Sequence, residues 1–309
     1  MWKRLATIAG TLVFLGLVAV GLMIWGAWQH PLALYEANGK RALESAGFEE
    51  QSLETPAGAL HYWFAGSGPP LVFLHGAGDS ATAWSRVAPS FTTRYTVYLP
   101  DLPGHGASAP KEGLLSLGTV YGGIENLVKR ITPEERAIIV GNSLGAWLAM
   151  LEAHDHPDIV ERIVLVNGGG IANEAHALTR TLATRDEARR FVKAIRDPGS
   201  PLIPNFVLDD MVRRSKVGPI ARMSAELADM TAHLIDGQLA EISTPVDLLW
   251  GAADRLLDIN YASRMQAALP VVRLRKIEAC GHFPANECPQ RFIRALEETL
   301  ASPPGNSSP

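Results

Sequence analysis

Cysteine is nearly absent: two in 309 residues, too few for a disulfide-rich scaffold or a four-cysteine zinc site. Excess positive charge is also missing. The 28 Lys and Arg stand against 32 Asp and Glu, for a net charge of −4 and no long basic run, which excludes nucleic acid as the expected partner. No G-x-G-x-x-G spacing occurs: Gly168-Gly169-Gly170 follows an apolar run but does not repeat in that way, so no nucleotide or other cofactor is expected. His154, Asp155 and His156 end a helical pattern before Pro157 without an inward-facing i, i+4 His pair. They read as a solvated helix end, and no metal is expected. With 47% hydrophobic and 19% charged residues, the chain is not a disordered one.

One long apolar run is present. Leu5 to Trp28 carries no charge, and its 24 residues make roughly 36 Å of helix against a hydrocarbon core of about 30 Å. Lys3 and Arg4 precede it, and the next basic residues after it are Lys40 and Arg41. By the positive-inside rule this is a single-pass anchor over residues 1–30, N-terminus cytoplasmic, with the body of the chain extracytoplasmic (periplasmic in a bacterium). A cleaved signal peptide fits less well, because its apolar region is shorter and Gly26-Ala27-Trp28-Gln29 is a poor cleavage site.

Residues 31–50 read as a linker helix. Apolar strand patterns then fall at 59–64, 71–74, 95–99, 137–140, 162–166, 246–250 and 271–277. Helical patterns lie between them at 81–90, 119–131, 144–155, 260–269 and 289–301. Near-continuous apolar strands alternating with helices predict an α/β fold, a mostly parallel sheet covered on both faces. The alternation is interrupted over 171–240 by helix-like sequence, which divides a core into 51–170 and 241–301. The tail 302–309 is expected to be disordered.

The strand at 137–140 runs into Gly141-Asn142-Ser143-Leu144-Gly145, and a helical pattern begins at once. A strand-to-helix turn this tight needs glycine on both sides, and it lifts the serine hydroxyl above the sheet. A serine hydroxyl needs a base. His282 lies in Ala279-Cys280-Gly281-His282-Phe283-Pro284, past the strand at 271–277, and Asp254 lies four residues beyond Trp250. The chain order Ser143, Asp254, His282 is that of a nucleophile, an orienting acid and a base, and all three follow strand ends, so they share one sheet edge. His75-Gly76-Ala77-Gly78 follows the strand at 71–74. The backbone N–H groups of Ala77 and Leu144 are the expected oxyanion donors.

From about residue 50 to 300 the chain resembles an α/β-hydrolase of the serine esterase and lipase type. Beyond the motifs above it has the family-like turn Asp101-Leu102-Pro103-Gly104-His105-Gly106, and 171–240 matches the family's helical cap. The layout of anchor, serine elbow and cap resembles membrane-anchored monoacylglycerol lipases. The resemblance implies hydrolysis of carboxylic esters, with a small-molecule or lipid ester of short or medium acyl chain as substrate.

Rival assignments are His105 as base, which the resemblance makes a loop residue, and Asp258 as acid, less well placed against its strand end. Cys280 and Cys288 flank the His282 loop, but sequence does not give their separation, and they are read as unpaired. The alternative activity is a meta-cleavage carbon–carbon hydrolase, suggested by the Gly-Asn-Ser elbow, with Arg189 or Arg190 receiving an acidic substrate. Phe283 departs from the Trp usual after the histidine there. Leu202, Ile203, Phe206, Val207, Leu208 and Met211 either line a tunnel or pack the cap, with packing the default.

Overall fold

The computed structural model describes residues 11–12, 14–18, 21, 25–26, 28–172 and 181–303. The described parts of the apolar run are helical, and Leu12, Phe14, Leu15, Leu17, Trp25 and Trp28 are exposed. Much of the expected span, including 5–10 and 22–24, lies outside the described residues. Among the described residues no helix is long and apolar enough to cross a membrane.

Eight strands form one sheet: β1 (Glu49–Thr55), β2 (Gly58–Gly66), β3 (Pro70–Leu74), β4 (Thr96–Pro100), β5 (Ala137–Asn142), β6 (Val160–Val166), β7 (Val246–Gly251) and β8 (Val272–Ile277). Their order is β1-β2-β4-β3-β5-β6-β7-β8. The β1–β2 and β2–β4 pairs are antiparallel, and all pairs from β4 onward are parallel. Alternation along each parallel strand feeds two cores. Val72, Leu74, Ile139, Leu165 and Leu248 face one, while Leu71, Phe73, Val140, Val164 and Leu249 face the other. Both faces being apolar is what made the strands legible as continuous runs.

The first core is closed by α2 (Leu117–Ile131), α3 (Leu144–Asp155) and α8 (Ile259–Ala268), which contribute Ile124, Leu148 and Met265. The second is closed by α10 (Pro289–Ala301), α1 (Pro31–Ser45) and two 3-10 turns at Ala81–Trp84 and Ala88–Phe91. Between β6 and β7 stand α4 (Arg185–Ile195), α5 (Asn205–Ser215), α6 (Pro219–Ser224) and α7 (Leu227–Ala232).

Three local expectations change. The linker helix ends at Ser45, and residues 49–55 form edge strand β1, with only Leu53 apolar. Its backbone ladder to β2, rather than burial, makes it a strand. The single helix expected over 81–90 is two short turns; Pro89 has no N–H with which to continue a helix from the first turn and sits in the opening turn of the second. Cys280 and Cys288 are joined in a disulfide, with Cα atoms 5.9 Å apart. The turn through α9 (Pro284–Glu287) brings the two ends of the loop back together, a proximity that linear spacing does not convey. Of the expected tail, 304–309 lies outside the described residues.

Candidate active site

Ser143 sits between β5 and α3 with φ 54° and ψ −112°, a left-handed backbone that costs a non-glycine residue about 1–3 kcal/mol. The surroundings hold it there. A Cβ on Gly145 would lie 2.2 Å from the Leu74 carbonyl oxygen, and one on Gly141 would lie 2.2 Å from the carbonyl oxygen of Gly145. The turn therefore passes closer to its neighbours than any side chain permits. Ser143 amide donates to Val166 O, and Ser143 O accepts from Gly169 N, which ties the turn to the end of β6.

Asp254 and His282 are in direct contact. His282 Nδ1 donates to Asp254 Oδ2 over 2.7 Å, and both side chains are almost fully buried. The other carboxylate oxygen, Oδ1, accepts from the amides of Leu256 (2.8 Å) and Leu257 (3.1 Å). Asn167 Nδ2 donates to Oδ2 over 2.7 Å, and Asn167 Oδ1 accepts from Gly251 N. Four donors surround one carboxylate, so its negative charge is satisfied in place and its orientation is set. With Nδ1 engaged, Nε2 is the nitrogen left to take a proton.

The histidine loop is pinned on both sides. His282 N donates to Ile195 O at the end of α4, and His282 O accepts from Asn142 Nδ2, the residue before Ser143. The Phe283 ring meets the imidazole edge-on, with centroids 4.8 Å apart. The Cys280–Cys288 bridge closes the segment.

Three loops converge on Gly76. A Cβ there would come within 3.4 Å of Asn142 Oδ1, Phe283 Cε1 and Ser143 Cβ together. Ala77, Ser143, Leu144 and Trp147 line a slot of about 20 Å³ together with Ile220, Met223 and Met230, room for little more than a water molecule. Leu144 is the first residue of α3, so its amide has no carbonyl a turn earlier within the helix and is free to point at an anion. Beyond Ala77 and Ile220 opens a second cavity of about 410 Å³, walled by α1, the helices between β6 and β7, and Phe283.

The structure thus brings the Ser143 turn, the Asp254–His282 pair and the Ala77 and Leu144 amides to one sheet edge. The rival residues lie in other roles. His105 is buried with Nδ1 donating to Pro103 O, and burial and neighbouring His75 push it down to about 3. Asp258 caps α8, accepting from the amides of Asn260 and Tyr261. His154 lies against Asp155 and Glu241, and His156 against Glu125. Arg189 is tied to Asp186 and Asn205, and Arg190 is exposed. Of the apolar residues offered for a tunnel, Met211 lines the larger cavity, Leu208 is buried and Leu202 is exposed.

Sequence reasoning passed over Asn142, Asn167 and His75. His75 is fully buried, donating from Nδ1 to Gly76 O and accepting at Nε2 from Leu102 N. Burial holds it down at about 4, so it is a neutral strut between two loops. Asn167 had one signal: an asparagine followed by Gly168 at a strand end, where φ is +46°, a conformation asparagine tolerates.

A model of the alpha/beta hydrolase family matches residues 71–295. The chain belongs to the alpha/beta hydrolase family. Within it, an uncharacterised protein of Mycobacterium tuberculosis (strain ATCC 25618 / H37Rv) is 31% identical over 261 residues, 76% of each chain. A 2-hydroxy-6-oxononadienedioate/2-hydroxy-6-oxononatrienedioate hydrolase of Cupriavidus pinatubonensis is 27% identical over 252 residues, 75% of this chain and 86% of that one. Among solved structures, a membrane phospholipase A superposes with a TM-score of 0.73 at 24% identity, covering 94% of this chain and 98% of that one. At that identity the likeness concerns the alpha/beta hydrolase fold.

Proposed function

We propose that this alpha/beta hydrolase cleaves carboxylic esters through an acyl-enzyme on Ser143. Ser143 Oγ attacks the ester carbonyl as His282 Nε2 takes its proton, and Asp254 stabilises the imidazolium that forms. The oxyanion accepts hydrogen bonds from the Ala77 and Leu144 amides. Collapse of the tetrahedral species breaks the bond to the alkoxide, which leaves with the proton from His282. Water, deprotonated by the same imidazole, then attacks the acyl carbon and releases the acid and Ser143.

The observation that favours an ester over an acidic carbon–carbon substrate is the charge of the larger cavity. Its wall carries Glu36 and Asp79 against one cation, Arg214, and Arg214 is held by Glu36 at 2.5 Å and by Asp210. Burial pushes the Asp79 carboxyl up to about 6, opposed by the Ser80 amide and aided by Glu36. A substrate carboxylate would meet two carboxyl groups and no unengaged guanidinium among the described lining residues, whereas a neutral ester meets an apolar wall. The Cupriavidus relative is a hydrolase of 2-hydroxy-6-oxononadienedioate, which keeps the carbon–carbon reading as the rival.

In this reading residues 1–30 anchor the protein with the N-terminus cytoplasmic, and the hydrolase body lies on the extracytoplasmic side. Residues 171–240, which include α4 to α7, act as a cap between the core pieces 51–170 and 241–301. Exposed Leu12, Phe14, Leu15, Leu17, Trp25 and Trp28 support the anchor, and a bilayer would supply lipid esters. The test is hydrolysis of p-nitrophenyl esters from acetate to palmitate by the full-length protein, with Ser143→Ala beside it. The reading expects turnover that the variant abolishes. Ester inactivity with cleavage of a ring-fission dienoate would replace it with the carbon–carbon reading.

A further inference from the structure

Helix α1 follows the apolar run directly, yet it does not act as a spacer. Its first turns are fastened to the helices between β6 and β7. Leu32 N donates to Asp210 Oδ2 over 3.1 Å, Arg214 Nη1 meets Glu36 Oε1, and Arg213 donates to Gln29 O just before the helix. The ring of Trp28 lies 4.6 Å from that of Phe206. On its other side Tyr35 Oη donates to Asn286 Oδ1 over 2.7 Å, within the loop closed by Cys280 and Cys288. The helix therefore bridges the segment above the site and the loop that carries His282.

Between those two attachments lies the cavity of about 410 Å³, a size that suits one organic ligand of moderate length. Leu32 and Tyr35 of α1 line it together with Phe191, Met211, Ile220 and Phe283. Ser215 Oγ is engaged by the backbone of Leu182 and Val212, and Glu36 with Arg214 satisfy each other. Asp79, whose Oδ1 accepts from the Ser80 amide, is the remaining carboxyl on the wall, and the rest of what the space offers a ligand is mostly hydrocarbon. Ala77 and Ile220 line both this cavity and the Ser143 slot, so a chain lying in the cavity ends at the nucleophile.

We infer that α1 is part of the substrate site: the cavity receives the acyl chain of a lipid ester, and Leu32 and Met211 set the chain length accepted. The inference rests on the ester reading above.

The test uses the full-length protein in CHAPS, which carries no alkyl chain to compete. The ratio of kcat/KM for p-nitrophenyl decanoate to that for the acetate is compared in wild type, Leu32→Trp, Met211→Trp and Leu32→Ala. Leu32→Trp and Met211→Trp each lower the ratio at least fivefold, and Leu32→Ala, which cannot overpack the site and is assayed also on the laurate and palmitate, moves the optimum to longer chains. Ratios within twofold of wild type in folded Leu32→Trp and Met211→Trp overturn the inference while leaving the ester reading intact. A second arm measures binding of a pyrene-labelled decyl alcohol to Ser143→Ala and to the Ser143→Ala, Leu32→Trp double variant. At least fivefold weaker binding in the double variant is expected, and equal binding contradicts the cavity assignment. Wild type that hydrolyses no ester removes the ester reading, and the binding arm then decides the cavity alone.

Discussion

Asn167 Nδ2 donates to Asp254 Oδ2 at 2.7 Å, the same oxygen that receives the Nδ1 proton of His282. Through Oδ1, the same amide group accepts from Gly251 N at the end of β7. One side chain at the end of β6 thereby fixes where the acid stands relative to the base. A hydrogen bond to a charged group contributes about 1.5–3 kcal/mol, or roughly a 10- to 100-fold effect on rate. Asn167→Gly, which keeps the positive φ, is expected to lower kcat by that factor with KM within about threefold. Steady-state kinetics on a p-nitrophenyl ester check it, and a kcat within twofold of wild type would show that Asp254 is held adequately without Asn167.

The oxyanion assignment separates two substitutions at one position. Ala77→Pro removes the amide hydrogen and should cost about 100- to 1,000-fold in kcat, the typical loss for one such donor. Ala77→Ser retains it and should stay within about fivefold. Similar kcat values for the two would mean that another group receives the oxyanion.

Gly145 tests the close approach of the nucleophile turn. Alanine there would place a Cβ 2.2 Å from the Leu74 carbonyl oxygen, a clash with backbone that no rotamer relieves. Gly145→Ala is expected to cost at least about 2 kcal/mol, a fall in Tm of roughly 4–8 °C. Thermal unfolding with an unchanged Tm would contradict the packing described for the turn.

The Cys280–Cys288 bridge closes a short loop containing His282, with a sequence separation of 8. Chain entropy assigns such a loop about 2.5 kcal/mol. Dithiothreitol should lower the Tm of wild type and leave the Cys280→Ser, Cys288→Ser double variant unaffected. Equal sensitivity of both proteins would place the effect elsewhere.

Glu152 lies in α3 with both carboxyl oxygens buried and without a hydrogen-bond partner among the described residues. Burial pushes it from 4.5 up to about 8. The folded state then keeps a proton between those pH values that the unfolded state has lost. Stability falls as pH rises through this window, by about 1.4 kcal/mol per pH unit, and levels off above the folded pKa. Glu152→Gln removes that slope, so its Tm relative to wild type should rise from pH 5 to pH 8. A difference independent of pH would show that Glu152 is ionised in the fold.

The central sheet, the Ser143 turn and the chain order of Asp254 and His282 were legible because each has a local signature. Parallel strands buried on both faces read as apolar runs, and Gly141 and Gly145 mark a turn that admits no side chain. β1 was not legible, since Glu49, Glu50, Gln51 and Ser52 carry no burial pattern and pairing with β2 alone makes them a strand. The supports from Asn167, Asn142 and His75 depend on loops distant in sequence meeting at one edge. The disulfide likewise depends on the path of α9. The part played by α1 was hidden for the same reason: Leu32 and Tyr35 share a cavity with Met211 and Phe191, residues more than 150 positions away in sequence.

The most direct measurement is intact-protein and peptide mass spectrometry on full-length enzyme acid-quenched during turnover of p-nitrophenyl butyrate. The account predicts a butyryl adduct on the peptide containing Ser143, absent from Ser143→Ala. It also predicts that the adduct accumulates in step with a burst of p-nitrophenol. Turnover with no adduct at Ser143, or equal turnover by Ser143→Ala, would contradict a serine nucleophile at this position.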